Sequence, residues 1–304
     1  MELWVLITIS AAFLQNLRST LQKYLKGAMG TTGATFVRFG FGLPFALMFV
    51  AILHFAAGFV IPAPNTKFII WVFVGAFSQI FANALLIHLF SFRNFVVGTA
   101  YSRTESAQAA VFGFVFLGER INVGVLAAIG LAVLGVMLIS VAKAGSGARS
   151  IVTAIFSRTA GIGILSGSFF GLAAVAYRAA SLSLEYPGYL MQAAVTLLWT
   201  ITLQTIVMLA WMAWREREEI TRIIAAWKPA LATGFVGATA SFGWFTAMTL
   251  QQAAVVKAVA LVEIVFTVLS SVLFFRERIN RLEIIGTTLI IVGILGILLL
   301  GART

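Results

Sequence analysis

The sequence predicts an all-α polytopic membrane protein, with ten transmembrane helices in two inverted five-helix repeats. Three observations carry that expectation. The chain is 61% hydrophobic and 10% charged, against roughly 45 to 50% and 25% for soluble domains. Turn residues and charges cut it into ten apolar stretches, each near the roughly 17 to 25 residues that span a bilayer. The chain also repeats itself: Phe116-Leu117-Gly118-Glu119-Arg120-Ile121-Asn122 returns 158 residues later as Phe274-Phe275-Arg276-Glu277-Arg278-Ile279-Asn280. At that offset, 11 of the 43 positions from Val97 to Ile139 are identical. A duplicated half with an odd number of spans enters the membrane from opposite sides in its two copies, the arrangement of many secondary transporters.

The first repeat occupies residues 1–142, a Gly- and Ser-containing linker residues 143–158, and the second repeat residues 159–304. Span one, residues 3–22, starts after Glu2 rather than a basic segment and carries Arg18 and Gln22, so it reads as a retained span and not a signal peptide. Its Gln15, Arg18, Ser19 and Gln22 form an i, i+3, i+4, i+7 polar stripe, which must face protein or water. Span two, 32–57, holds Arg38 and is expected to bend at Pro44. Span three, 68–90, places Gln79 and Asn83 one turn apart. Span four, 95–117, contains Tyr101, Arg103 and Glu105, and span five, 121–142, is nearly without polarity.

In the second repeat, span six, 159–181, carries Gly163, Gly167 and Gly171 on one stripe, which admits a neighbouring backbone. Span seven, 187–214, repeats Gln192, Thr196 and Thr200 by four and includes Trp199. Span eight, 229–250, includes Trp244; span nine, 253–275, holds Lys257 and Glu263; span ten, 281–300, reads as scaffold like span five. Short connections make successive helices antiparallel. Thirteen Lys and Arg residues fall on odd-numbered connections and three on even connections and termini, which places both termini outside.

Several function classes lose their parts. The chain has no cysteine, two histidines, and ten acidic residues that are all glutamate. No thiolate or multi-histidine metal site, aspartyl pair or Ser-His-Asp triad can be assembled from that set, so neither an enzyme nor a cofactor is expected. The net charge of +11 lies mostly at span ends, so nucleic acid is not implied. The expected partners are the lipid bilayer and a small-molecule substrate, and the expected location is a bacterial cytoplasmic membrane. The oligomeric state is left open.

Charge near the bilayer centre costs about 2.5 to 3.5 kcal/mol on insertion scales and so points to function. Glu105 and Glu263 superpose at the repeat offset, and each lies ~15 Å into its span. Arg103 is on the other side of its helix from Glu105 and needs another partner. The deep set of Arg18, Arg38, Arg103 and Lys257 exceeds Glu105 and Glu263 by two positive charges, which an anionic group would balance. Arginine pairs bidentately with carboxylate or phosphate. Candidate substrate or coupling residues are therefore Glu105, Glu263, Arg103, Lys257, Arg18, Arg38, Gln15, Gln79, Asn83, Tyr101, Trp199 and Trp244. Proton coupling through either glutamate and exchange without protons both stay open.

Glu105 followed by Gly118-Glu119-Arg120, and Glu263 followed by Arg276-Glu277-Arg278, resemble the motif of EamA-type transporters of the drug/metabolite transporter superfamily. The proline usual after the first glutamate is Ser106 in one copy and Ile264 in the other. The resemblance implies ten spans in two inverted repeats, and a central cavity lined by the first four helices of each half. Members resembled here move amino acids, sugars, nucleotide-linked sugars, phosphorylated metabolites or amphipathic compounds. The sequence reading is a secondary-active transporter moving an anionic or zwitterionic metabolite by alternating access. An exporter of hydrophobic or cationic compounds, held by Glu105, Glu263 and aromatic walls, is the alternative; a membrane enzyme or lipid-handling scaffold is the remote one.

Overall fold

The computed structural model describes residues 2–89, 101–143, 158–273 and 280–301, and every regular element among them is helical. The helices are α1 (Leu3–Leu25), α2 (Thr31–Gly40), α3 (Leu43–Phe55), α4 (Thr66–Leu89), α5 (Glu105–Leu117), α6 (Val123–Lys143) and α7 (Arg158–Ser183). They continue as α8 (Tyr189–Arg215), α9 (Arg217–Ala225), α10 (Trp227–Leu250), α11 (Ala253–Val259), α12 (Val262–Leu273) and α13 (Arg281–Gly301). Six spans among the described residues are long and apolar enough to cross a membrane, or seven if the pair α9 and α10, bent by 92°, is counted as one span. The protein is an integral membrane protein.

Contacts divide the chain into two compact units: residues 1–77 with 176–250, and residues 78–175 with 251–304. Each unit draws on both halves of the sequence. In the first, Leu25, Met29, Phe36 and Val37 pack with Met212, Ile223 and Ala230. A second cluster joins Val50, Phe68 and Val72 to Ala180, Leu184, Met191 and Val195. The beginning of span two thus meets the end of α8, and its end meets the beginning of α8, so the two run antiparallel.

Span two is interrupted by a turn at residues 41 and 42, and Pro44 stands in the first turn of α3. A side chain on Gly42 would strike the Arg38 carbonyl, and one on Gly234 would lie 2.5 Å from the Phe41 oxygen. The turn is therefore seated directly on the backbone of α10 at Gly234. Asn65 opens α4 by accepting the Phe68 N–H at 2.8 Å. His54 is a structural residue whose ring nitrogen bonds the Phe59 carbonyl at 2.8 Å.

Residues 217–225 were expected as a connection; they form the amphipathic helix α9. Its buried Glu219 accepts the Gly30 N–H at 2.7 Å and the Arg222 guanidinium at 2.7 Å. That carboxylate meets one of the unpaired N–H groups at the start of α2, where the helix dipole favours negative charge.

In the second unit, α6 and α13 are the helices read as scaffold, and they pack backbone to backbone. A Cβ on Gly286 would lie 2.5 Å from the Gly135 carbonyl, and one on Gly293 would lie 2.7 Å from that of Ala128. The repeat offset maps Gly135 onto Gly293 and Ala128 onto Gly286, so each contact is the image of the other. Rising numbers on α6 meet falling numbers on α13, and this pair too is antiparallel.

Candidate substrate and coupling site

Spans four and nine were expected as continuous helices; each is broken just before its glutamate. Residues 103 and 104 form a turn before α5, and residues 260 and 261 form one between α11 and α12. Glu105 and Glu263 consequently stand in the first turns of α5 and α12. Carboxylates are favoured there by the free N–H groups and the helix dipole.

Cations from the opposite copy complete the pairing. Arg103 Nη1 lies 2.5 Å from Glu263 Oε1, and Lys257 Nζ lies 3.5 Å from Glu105 Oε1. The glutamates are 12% and 13% exposed, Lys257 19% and Arg103 39%. Arg103 thereby finds the partner its own helix could not supply. Lys257, placed in the deep set by sequence, meets Glu105. The quartet is electrically neutral and crossed: each repeat gives one acid and one base to the other.

The glycine stripe of α7 explains how a broken helix is accommodated. A Cβ on Gly167 would meet the Ser102 carbonyl at 2.8 Å, and one on Gly171 would meet the Glu105 carbonyl at 2.9 Å. Thr104 Oγ1, at the break, donates to the Tyr101 carbonyl at 2.7 Å and accepts from Gln108 Nε2 at 2.7 Å. At the other end of α5, Gly118 adopts a left-handed conformation with φ of 64°, and the Glu119 N–H bonds the Gly113 carbonyl. The Glu119 carboxylate folds over Gly113, where a Cβ would lie 2.7 Å from it. The Gly118-Glu119-Arg120 motif is thus a helix stop; its second copy, Arg276-Glu277-Arg278, lies outside the described residues.

The remaining candidates divide by unit. In the first unit, Arg18 on α1 is 7% exposed. A Cβ on Gly237 of α10 would lie 3.2 Å from Arg18 Cδ and 3.5 Å from Arg38 Cγ, so both stems cross one bare glycine. Gly237 is the eleventh residue of the 24 in α10, ~15 Å along it. Arg38 Nε is buried without a hydrogen-bond partner. Gln22 donates to the Ala34 carbonyl at 2.8 Å, tying α1 to α2, while Gln15 gives its carbonyl to Ser19 and is half-buried. Trp244 is buried on α10; Trp199 is 42% exposed and meets Phe68 edge-on.

In the second unit, Asn83 donates to the Gln79 carbonyl of its own helix at 2.7 Å, and Tyr101 is half-buried. Thr196 likewise bonds the Gln192 carbonyl within α8 of the first unit, whereas Thr200 Oγ1 is buried without a partner.

Sequence reasoning missed three residues of the first unit. Arg178 of α7 donates to the Met248 and Thr249 carbonyls at 2.6 and 3.2 Å, holding the end of α10. Tyr177 donates to the Gly75 carbonyl at 3.0 Å and stacks on Phe245 at 4.5 Å, with Gln204 Nε2 at 3.4 Å from its hydroxyl. Arg178 carried a signal, being a charge inside a span; Tyr177 and Gln204 read as ordinary helix positions. Among the described residues, no three His, Cys, Asp or Glu side chains come together as a metal site.

The sequence pattern of the EamA-like transporter family matches the chain twice, over residues 2–141 and 157–299. No curated protein sequence matches it significantly. A solved crystal structure, titled only as that of a protein, is similar at a TM-score of 0.67 with 18% identity, covering 99% of this chain and 98% of that one. That likeness concerns the fold alone.

Proposed function

The chain belongs to the EamA-like transporter family of the drug/metabolite transporter superfamily, and on that premise we propose a secondary-active carrier. It moves a small anionic or zwitterionic metabolite, amino-acid-like or phosphorylated, across a bacterial cytoplasmic membrane by alternating access. The observation that carries the reading is the crossed quartet at two broken helices. Discontinuous helices whose half-helix ends meet near mid-bilayer are the recurring means by which transporters hold substrate and ions. Arg103 with Glu263, and Lys257 with Glu105, can exchange partners with a zwitterion bearing the same two charges.

Two inverted five-helix repeats, residues 1–142 and 159–304 joined by 143–158, are part of the same proposal. Support comes from equivalent helices running antiparallel: span two against α8, and α6 against α13. Ten spans follow if α1, broken span four and broken span nine each cross the bilayer. The anionic class is supported by the arginines carried inside the spans, Arg18 and Arg38 among them, whose forks match a carboxylate or phosphate.

Uptake of labelled metabolites by protein reconstituted in sealed vesicles tests the function. Competition by acidic or zwitterionic compounds is expected; competition by quaternary ammonium compounds alone would favour the cationic alternative. Product formation in detergent, with no sealed compartment, would favour an enzyme. If transport is proton-coupled, Glu105→Gln or Glu263→Gln should flatten its pH dependence. Full retention in both variants would remove the glutamates from that role.

A further inference from the structure

We propose that α9 and the two helix ends it joins form a binding surface for anionic phospholipid headgroups, on which Arg215, Arg217 and Lys228 take up the lipid phosphates. The surface is independent of what the chain transports. Three observations within the first unit carry it.

The first is the lie of α9. It is bent by 92° from α10, so with α10 crossing the bilayer it runs along the membrane surface. Its inner face is fixed to the protein by buried Ile223 and by Glu219, which accepts the Gly30 N–H. At helical spacing the two flanks then differ: exposed Ile224 stands on one, Glu218 and Arg222 on the other. A helix with a packed inner face, one apolar flank and one ionic flank fits the boundary between acyl chains and water.

The second is aromatic. Trp211, Trp214 and Trp227 are all exposed and bracket α9, and tryptophan is favoured at headgroup level. The depth of α9 is thereby set from both ends.

The third is charge. Glu216 accepts the Trp211 N–H at 3.3 Å, and Glu218 and Glu219 pair with Arg222 at 3.0 and 2.7 Å, so the acids of this segment are engaged. Arg215, Arg217 and Lys228 are exposed, and among the described residues none of them has an acidic partner. Each is held instead by a neutral contact. The Arg215 guanidinium lies 4.1 Å over the Trp214 ring, the Lys228 ammonium 5.8 Å from the Trp227 ring centre, and Arg217 Nε donates to the Ala213 carbonyl at 2.8 Å. A guanidinium stacked on its face, or tied through Nε, keeps its outer N–H groups for phosphate oxygens. An acidic protein would answer these charges but not the exposed rings and Ile224 beside them; a lipid answers both with one molecule. The Lys and Arg count expects this connection on the cytoplasmic side, where anionic lipids attract basic segments.

The test uses the full-length protein with Ile224→Cys as its single cysteine, labelled with a fluorophore and reconstituted in phosphatidylcholine vesicles. Brominated phosphatidylglycerol or brominated phosphatidylcholine is included at equal mole fraction, and the quenching is compared. Quenching by both lipids is expected, stronger with phosphatidylglycerol, the difference shrinking as salt is raised. Arg215→Gln or Lys228→Gln should each lower the preference about twofold to fivefold, and the two combined with Arg217→Gln should abolish it. A fluorophore on Phe55→Cys, exposed at the other end of span two, should show no preference. Where the triple variant does not fold, the two single variants decide.

Equal quenching by the two lipids at Ile224→Cys, or a preference unchanged by the charge removals, would overturn the surface. Absence of quenching by either lipid would place α9 clear of the bilayer and overturn it as well. Loss of the preference on adding soluble glycerol phosphate at fixed ionic strength would assign the cations to a free anion instead of a lipid. Uptake is not read in this measurement, so none of these results bears on the carrier reading.

Discussion

Glu263→Gln removes the charge that faces Arg103 at 2.5 Å. A fully buried pair broken from one side costs about 3 to 5 kcal/mol; with Arg103 39% exposed, water reduces this to about 1 to 3 kcal/mol. Arg103→Met combined with Glu263→Gln should be milder than the sum of the single changes, and a double-mutant cycle in chemical denaturation measures the difference. At the far end of α5, Gly118→Ala places a Cβ in the left-handed region and should cost about 1 to 2 kcal/mol. That the spans carry charged side chains was legible from sequence, although Arg178 among them was passed over. Who pairs with whom was not: Arg103 meets Glu263 across 160 positions, and no local pattern encodes such a contact.

At the scale of elements, the breaks in spans four and nine shape the site, and they differ in visibility. Thr104-Glu105 is a polar pair of the kind found at helix starts. Ala260-Leu261-Val262 before Glu263 is apolar throughout, so periodicity reads straight through it. The cradle on α7 gives the break an independent test. Gly171→Val would set side-chain atoms against the Glu105 carbonyl and the Ala109 N–H, and an overpacked contact of this kind costs about 1 to 3 kcal/mol. Loss of transport with Gly171→Val, and retention with Gly161→Val, where a Cβ meets nothing within 4 Å, is the expected outcome. Helix α9 escaped the sequence reading because nine residues rich in charge look like a connection. Its link to α2 predicts that Glu219→Leu, which leaves the Gly30 N–H unsatisfied, costs about 1 to 3 kcal/mol. Glu219→Gln, which retains an acceptor, should cost less; thermal unfolding of both variants checks the order.

For the molecule as a whole, the family and the all-helical membrane class were legible because composition and the 158-residue repeat are properties of the entire chain. The assignment of residues to compact units was not, since each unit combines parts of both halves. The Lys and Arg distribution predicts both termini outside, and the orientation can be measured cleanly, as the chain has no native cysteine. With both termini outside, an impermeant maleimide should label Ala57→Cys in intact cells and Arg217→Cys only after permeabilisation. Labelling in the reverse order would invert the orientation.

Alternating access is tested most directly at the break of span nine, by a single cysteine at Ala260 in reconstituted vesicles exposed to an impermeant thiol reagent from one side at a time. The account predicts reaction from either side, with a transported acid shifting the ratio of the two rates. Reaction from one side only, unchanged by any substrate, would contradict it.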